Sequence, residues 1–286
     1  MNMNRRSIYI VVNEGASERT YLQSLRSFLA NRMPLGNDFC PRLDLIPRVT
    51  NGGAGGGAFP IVRKTFHACR QADRHVPVVI WVDADIYVRN ATAGERHNAE
   101  AYAKKSGLPD FCFSVMNFED FLALHFDDDI FDQWYNAISA TGHFGKPLLG
   151  DVYAPVFASI WALQISRLGI SGVEYTKGEL PVDFISVATL GNMMRHASDS
   201  RMQALFRANT SSQTFAEFLT DCLREQYPET FESANPLWYG SVNVDKGISH
   251  NIGSIRKSII QGLDSDSHPY PGFCQGSKDE GTRPSI

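Results

Sequence analysis

Two apolar runs of this chain end in acids, and that placement is its first chemical signal. Ser7 to Val12 leads through Asn13 into Glu14, with Glu18 four residues on, and Val76 to Val82 leads into Asp83 and Asp85. Glu14 and Glu18 stand one helical turn apart and can point into the same space. Asp83 and Asp85 flank Ala84, so a backbone still extended there projects both to one side. Four carboxylates brought together cannot all stay ionised at neutral pH without a cation, because each raises the pKa of the next. Mg²⁺ or Mn²⁺ is the matching cofactor, since hard divalent ions take carboxylate oxygens. Singly, each acid has a plainer reading: a glutamate favours the positive end of a helix, and an aspartate after a strand closes a turn. Two acids at the end of each of two strands is the pattern that favours a metal site, because open α/β sheets bind ligands beyond the carboxyl ends of their strands.

The elements that must position these acids alternate strand and helix. Ser7 to Val12 reads as a strand, followed by a turn and a helix with Tyr21, Leu22, Leu25, Phe28 and Leu29 on one face. Ser17 is placed to cap that helix. Leu43 to Val49 reads as a second strand, then come the glycine cluster 51–57 and a helix from Pro60 to Arg74. Val76 to Val82, rich in valine and isoleucine, reads as a parallel strand covered on both faces. A polar helix is expected over 92–106, a fourth strand over Phe111 to Met116, and a helix capped by Asn117 through Phe126. This repeated β-α order predicts an α/β fold, a Rossmann-like, mostly parallel sheet flanked by helices. The second half reads as mainly helical, over Ala154 to Leu168, Phe184 to Ala197 and Phe215 to Gln226, with strand signals weak apart from the region near Gly172 to Tyr175. From Asp264 the chain is rich in Ser, Gly, Pro and Asp. The expected division is therefore an α/β domain over 1–150, a helical region over 151–263 and a polar tail over 264–286.

Composition narrows the function classes. A chain of 286 residues with 43% hydrophobic and 20% charged residues buries a core and is not disordered. The formal net charge of −4 excludes a globally basic, histone-like binder but not a local basic groove. Five scattered cysteines form no CxxC pair, which suits a reduced, intracellular chain. The N-terminal apolar run stops after about six residues, too short for a signal peptide, and no stretch reaches the roughly 18 apolar residues of a membrane helix. A cytoplasmic protein without a membrane partner is expected. No GxSxG and no nucleophile–base pair supports serine or cysteine chemistry, and the glycine cluster lacks the Gly-Lys-Ser/Thr ending of a P-loop.

The strand-N-E-G-x-S-E-R-x-Y-L stretch from Ile8 to Leu22, the strand-D-A-D stretch from Val78 to Asp85, and N-F-E-D-F-L-A-L-H-F from Asn117 to Phe126 resemble the Toprim fold. They are similar in particular to the RloB-like and OLD-type nucleases of bacterial defence systems, over about the first 130 residues. The resemblance implies Mg²⁺-dependent cleavage or rejoining of phosphodiesters, with Glu14 as the family glutamate, Glu18 as the second acid of the OLD-type EGxxE, and Asp83 with Asp85 as the DxD pair. It also implies a nucleic-acid partner, DNA or RNA, with an ATPase or another defence protein as a further partner, and leaves room for a homo-oligomer. Glu119 lies where RloB-like proteins have N-P-x-F-E, but Val-Met-Asn-Phe-Glu lacks the proline. It reads equally as a further metal ligand or as a first-turn helix acid.

Chemistry on a phosphodiester also needs positive charge near the transferring phosphoryl group. Lys177, in Glu-Tyr-Thr-Lys-Gly, resembles the Tyr-x-Lys found late in RloB-like proteins and is otherwise a loop lysine. Arg48, Arg63, Lys64, Arg70 and Arg74 form a candidate nucleic-acid track, or else a solvated helix face. His125 reads as a packed, supporting histidine. The expected activity is metal-dependent nuclease action. The alternatives are a Toprim-like subunit that binds metal or nucleic acid without cutting, and a phosphohydrolase acting on free nucleotides.

Overall fold

Three hydrophobic runs in the first 114 residues can be satisfied only by being covered on both faces, and they form the centre of the sheet. In the computed structural model, β1 (Ser7–Asn13), β3 (Val78–Asp83) and β4 (Phe111–Ser114) are almost wholly buried. β2 (Leu43–Val49) carries exposed Arg48 and lies at an edge. The structure describes residues 7–33, 41–50, 59–88, 94, 100–101, 104–105, 111–143, 150–170, 172–207 and 210–231. The glycine cluster, most of the expected 92–106 helix and the 264–286 tail lie outside them.

Among the described residues the helices with defined bounds are, in chain order, α1 (Ala16–Arg32), α2 (Phe59–Ala72), α3 (Asp85–Val88), α4 (Phe118–Ala123), α5 (Asp128–Ala140), α6 (Gly150–Arg167), α7 (Val187–Ala197), α8 (Ser200–Arg207), α9 (Phe215–Gln226) and α10 (Pro228–Phe231). A two-residue strand, β5 (Gln213–Thr214), precedes α9. All neighbouring strands are parallel, in the order β2-β1-β3-β4-β5. The chain leaves β1 toward β2 and then crosses back past β1 to β3. Right-handed crossovers therefore place α1 and α2 on opposite faces, and the direction of winding reverses between β1 and β3.

Register fixes what each face carries. Asn13 pairs with Trp81, so Tyr9, Val11 and Asn13 share a face with Trp81 and Asp83. On that face Tyr9 meets Phe218 of α9 edge-on at 5.3 Å, and Trp81 stacks on Phe215 at 3.9 Å between ring centroids. Phe121 and Tyr21 close around the same indole at 4.9 and 5.9 Å, and its Nε1 donates to Ser114 Oγ at 3.0 Å. The helical half thus completes the core of the sheet. The described residues all fall within one compact unit.

Several local expectations are corrected. Ser17 does not cap α1: Gly15 is the N-cap, and Ser17 is buried within the first turn. The backbone does not stay extended from Asp83 to Asp85, because Asp85 already opens α3 and gives its amide to Met116 O at 2.9 Å. Residues 172–176 run without a ladder partner. Asn117 does cap α4, accepting from the Asp120 amide at 3.0 Å. Replacing Trp81 by alanine should cost about 3–5 kcal/mol, measured as loss of unfolding free energy in a denaturant titration.

Candidate active site

The turn from β1 into α1 is built around carboxylates. The Gly15 amide donates to Glu18 Oε2 at 3.0 Å, so a side chain one turn into α1 folds back over the helix start. A Cβ at position 15 would stand 3.3 Å from that same oxygen, a crowding that favours glycine. Glu14 reaches the other way, its Oε1 accepting from the Asp83 amide at 3.1 Å, and so joins the ends of β1 and β3. Thr50, just past β2, donates its hydroxyl to Glu14 O and its amide to Asn13 O, at 3.2 and 2.9 Å. The acids consequently occupy the carboxyl edge of the sheet where the winding reverses, the position at which doubly wound sheets bind ligands.

Burial and mutual repulsion act on them together. Glu14 is pushed up to about 8, first by removal from water and then by Glu18 and Asp85, with its bond from the Asp83 amide and the charge of Lys177 opposing. Glu18 is raised by burial and Glu119, against the pull of two amides and Lys177. Asp83 lies far above the ordinary aspartate range through burial, Glu18, Glu14, Asp85 and Glu119, in that order. The five sequence-identified acids therefore form one electrostatic cluster.

The donor set fits a hard divalent cation. Asp83 Oδ1 is buried without a hydrogen-bond partner, and so is Asn13 Oδ1 on the same face of the sheet. Buried orphan oxygens are rare, and a bound ion is one of the few things that explains them. Glu14, Glu18 and Glu119 each have one oxygen engaged by a donor, at 3.1, 3.0 and 2.8 Å, and a carboxylate retains acceptor capacity beyond that. Among the described residues, no group of three or more His, Cys, Asp and Glu side chains forms a ready-made metal shell. Together these acids can hold a cation once they turn toward it, or share protons in its absence.

The segment 172–180 brings cationic chemistry to this edge. Lys177 is exposed, and its ammonium lowers both Glu14 and Glu18. Tyr175 donates its hydroxyl to Glu119 Oε1 at 2.8 Å. The candidate basic track is divided. Arg48 lies on β2 opposite Val12, at the acidic edge. Arg63 and Lys64 fall early in α2, which starts near that edge and descends toward the beginning of β3. Seven residues at 1.5 Å each put exposed Arg70 about 10 Å further down the helix, and Arg74 lies beyond its end.

Sequence reasoning passed over the residues that fix α4, on which Glu119 sits. Asp120 is fully buried and accepts from the amides of Met116 and Asn117, from His143 Nε2 at 2.9 Å and from Tyr153 Oη at 2.6 Å. Burial works against a charged imidazole, but Asp120 outweighs it and His143 is raised above its usual value. No local signature joins positions 120, 143 and 153. His125 is confirmed as a packing residue. Its Nδ1 faces Phe121 O at 3.2 Å, and a carbonyl only accepts, so Nδ1 carries the proton and Nε2 accepts from Tyr21 Oη at 2.9 Å. Burial holds His125 down to about 3, too low for proton transfer near neutrality.

Acids raised by folding give a defined pH dependence. The stability they contribute is complete below the ordinary glutamate value of 4.5 and is lost as pH rises through about 8 for Glu14. In a chelator, the unfolding free energy should therefore fall across that window. Glu14→Gln should flatten part of the slope, and saturating Mg²⁺ should flatten it further, both read by denaturant titration at a series of pH values. No family model, curated protein or solved structure matches this chain.

Proposed function

We propose that this chain is a Mg²⁺- or Mn²⁺-dependent hydrolase of phosphodiester bonds in DNA or RNA, built on a Toprim-like domain and working in prokaryotic defence. The observation that carries the reading is the convergence of Glu14, Glu18, Asp83, Asp85 and Glu119 at the β1/β3 switch point, with Asp83 Oδ1 buried and unpartnered. The defence setting rests on the motif resemblance alone.

Asp83 and Glu14 would hold the ion from two adjacent strands, Asp85 from the first residue of α3, and Glu18 and Glu119 from the first turns of α1 and α4. When bound, a divalent ion supplies Lewis-acid polarisation of a phosphoryl oxygen and a water of lowered pKa. Lys177 brings a fixed positive charge to the same edge, where it opposes the charge that builds on the phosphoryl oxygens. Arg48, Arg63 and Lys64 would meet a phosphate backbone entering this edge, and each phosphate so neutralised would make binding more salt-dependent. Among the described residues no helix is long and apolar enough to cross a membrane.

The second reading is a subunit that binds an ion or nucleic acid without cutting; it does not require the acids to stand preassembled for catalysis, and among the described residues they form no ready-made shell. Asp83→Asn separates the two. In a chelator its stability should equal or exceed that of the parent, because a repelled, desolvated carboxyl is gone. With Mg²⁺, its kcat/KM on single-stranded DNA, duplex DNA or RNA should fall by about 100-fold or more. Equal cleavage by mutant and parent overturns the hydrolase. Calorimetric Mn²⁺ binding by the parent without cleavage of any of the three polymers establishes the binding subunit instead.

A further inference from the structure

The segment 172–180 belongs to no helix or ladder, yet it is tied down on both sides of Lys177. On one side the ring of Tyr175 packs edge-on against Phe157 and Trp161 of α6, at 4.8 and 5.4 Å between centroids. Its hydroxyl continues out of that aromatic box to Glu119 Oε1 at 2.8 Å. On the other side the Gly178 carbonyl accepts from Thr20 Oγ1 of α1 at 2.8 Å. Around Lys177 the Glu179 amide closes a turn onto Thr176 O at 3.1 Å. Gly178 has φ +90°, a conformation open to glycine and strained for other residues, so the turn is set by the chain itself.

These ties end on particular elements. Thr20 lies two residues after Glu18 on α1, and Glu119 is itself one of the clustered acids. Lys177 is adjacent to Gly178 and two residues from Tyr175, so its Cα stays within about 4 Å of one tied residue and about 7 Å of the other. A lysine on an untethered loop would spread its charge over a wide volume of solvent. Here an exposed lysine has a fixed base beside the acids.

Resting on the hydrolase reading, we propose that Tyr175 is a positioning residue: its hydroxyl on Glu119, together with the Thr20–Gly178 bond, latches the 172–180 segment so that Lys177 is presented to the scissile phosphate. The latch joins the helical half of the chain to the acidic edge, and it gives that half a part in the reaction.

Tyr175→Phe keeps the ring in its aromatic box and removes only the hydroxyl, and Thr20→Val does the same for the second tie. Trypsin reads the latch without reference to activity. Cleavage after Lys177 should be roughly three- to tenfold faster in each variant than in the parent, and faster again in the double variant, with little change in melting temperature. With Mg²⁺ and a cleavable polymer, Tyr175→Phe should lower kcat about tenfold with KM unchanged, as should Lys177→Ala. The pair should lose no more than Lys177→Ala alone, because the hydroxyl acts through the lysine. Additive losses in the pair, or unchanged trypsin cleavage at Lys177 in the double variant, overturn the proposal. If the parent cleaves no polymer but trypsin sensitivity rises as stated, the latch stands and the hydrolase reading fails.

Discussion

Several carboxyl groups are withdrawn from water at one end of one sheet, and the rest of the molecule is arranged around that fact. A carboxylate moved into a poorly hydrated site loses solvation that only a proton, a donor or a cation can replace. Glu14 and Glu18 are given backbone amides, those of Asp83 and Gly15, and Glu119 is given a phenol. Asp83 receives nothing at Oδ1. Had the chain selected only for stability, an asparagine or a serine there would avoid the repulsion from Glu18, Glu14, Asp85 and Glu119. Five acids held in mutual opposition cost stability that a positive ligand would restore, which is the physical basis of the metal-dependent reading proposed above.

Holding mutually repelling groups in place requires a rigid support, and the aromatic layer beneath them supplies it. Trp81 is packed by Phe215, Phe121 and Tyr21, and Tyr21 is hydrogen-bonded to His125, whose ring lies against Phe184. These rings come from β3, α9, α4, α1 and the approach to α7. The layer therefore closes only when both halves of the chain have folded. Asp120 adds a polar counterpart, because one buried carboxyl gathers two amides of its own turn, an imidazole just beyond α5 and a phenol on α6. The start of α4, and with it Glu119, is fixed from three directions.

What the sequence made legible follows from how local each signal is. β1, β3 and β4 were readable because a strand covered on both faces must be nearly all apolar, as Val78 to Val82 is, β2 as a more polar run at an edge, and the acids because they directly follow the buried runs. β5 was not, since two residues carry no period, and the sheet takes Gln213 and Thr214 only through their pairing with Cys112 and Phe113. α5 went unread although Ile130, Phe131, Trp134 and Ile138 are spaced for one helical face, because the acid run before it has the look of a solvated loop. Ser17 misled for a different reason: its residue type suits a cap, but Glu18 already serves the Gly15 amide and the helix begins earlier. Tyr175, His143 and Tyr153 act across separations of 23 to 56 residues, and spacing along the chain says nothing about such pairs.

Charge distribution, rather than total charge, decides whether this edge can face a polyanion. A formal −4 spread evenly would repel nucleic acid weakly, but five of the acids gather at the carboxyl edge of the sheet and are largely withdrawn from solvent, whereas Lys177, Lys64 and Arg48 are exposed. The field met by an approaching phosphate is weighted toward the exposed groups, because solvent-facing charges act over about a Debye length, near 8 Å at physiological ionic strength, while protonated or ion-bound carboxyls project little. Raised carboxyl pKa values and exposed basic groups thus act in the same direction on the field at this edge. The same burial that raises Glu14, Glu18 and Asp83 lessens the negative charge this edge presents to solvent, and the exposed Lys177 beside them adds charge of the opposite sign.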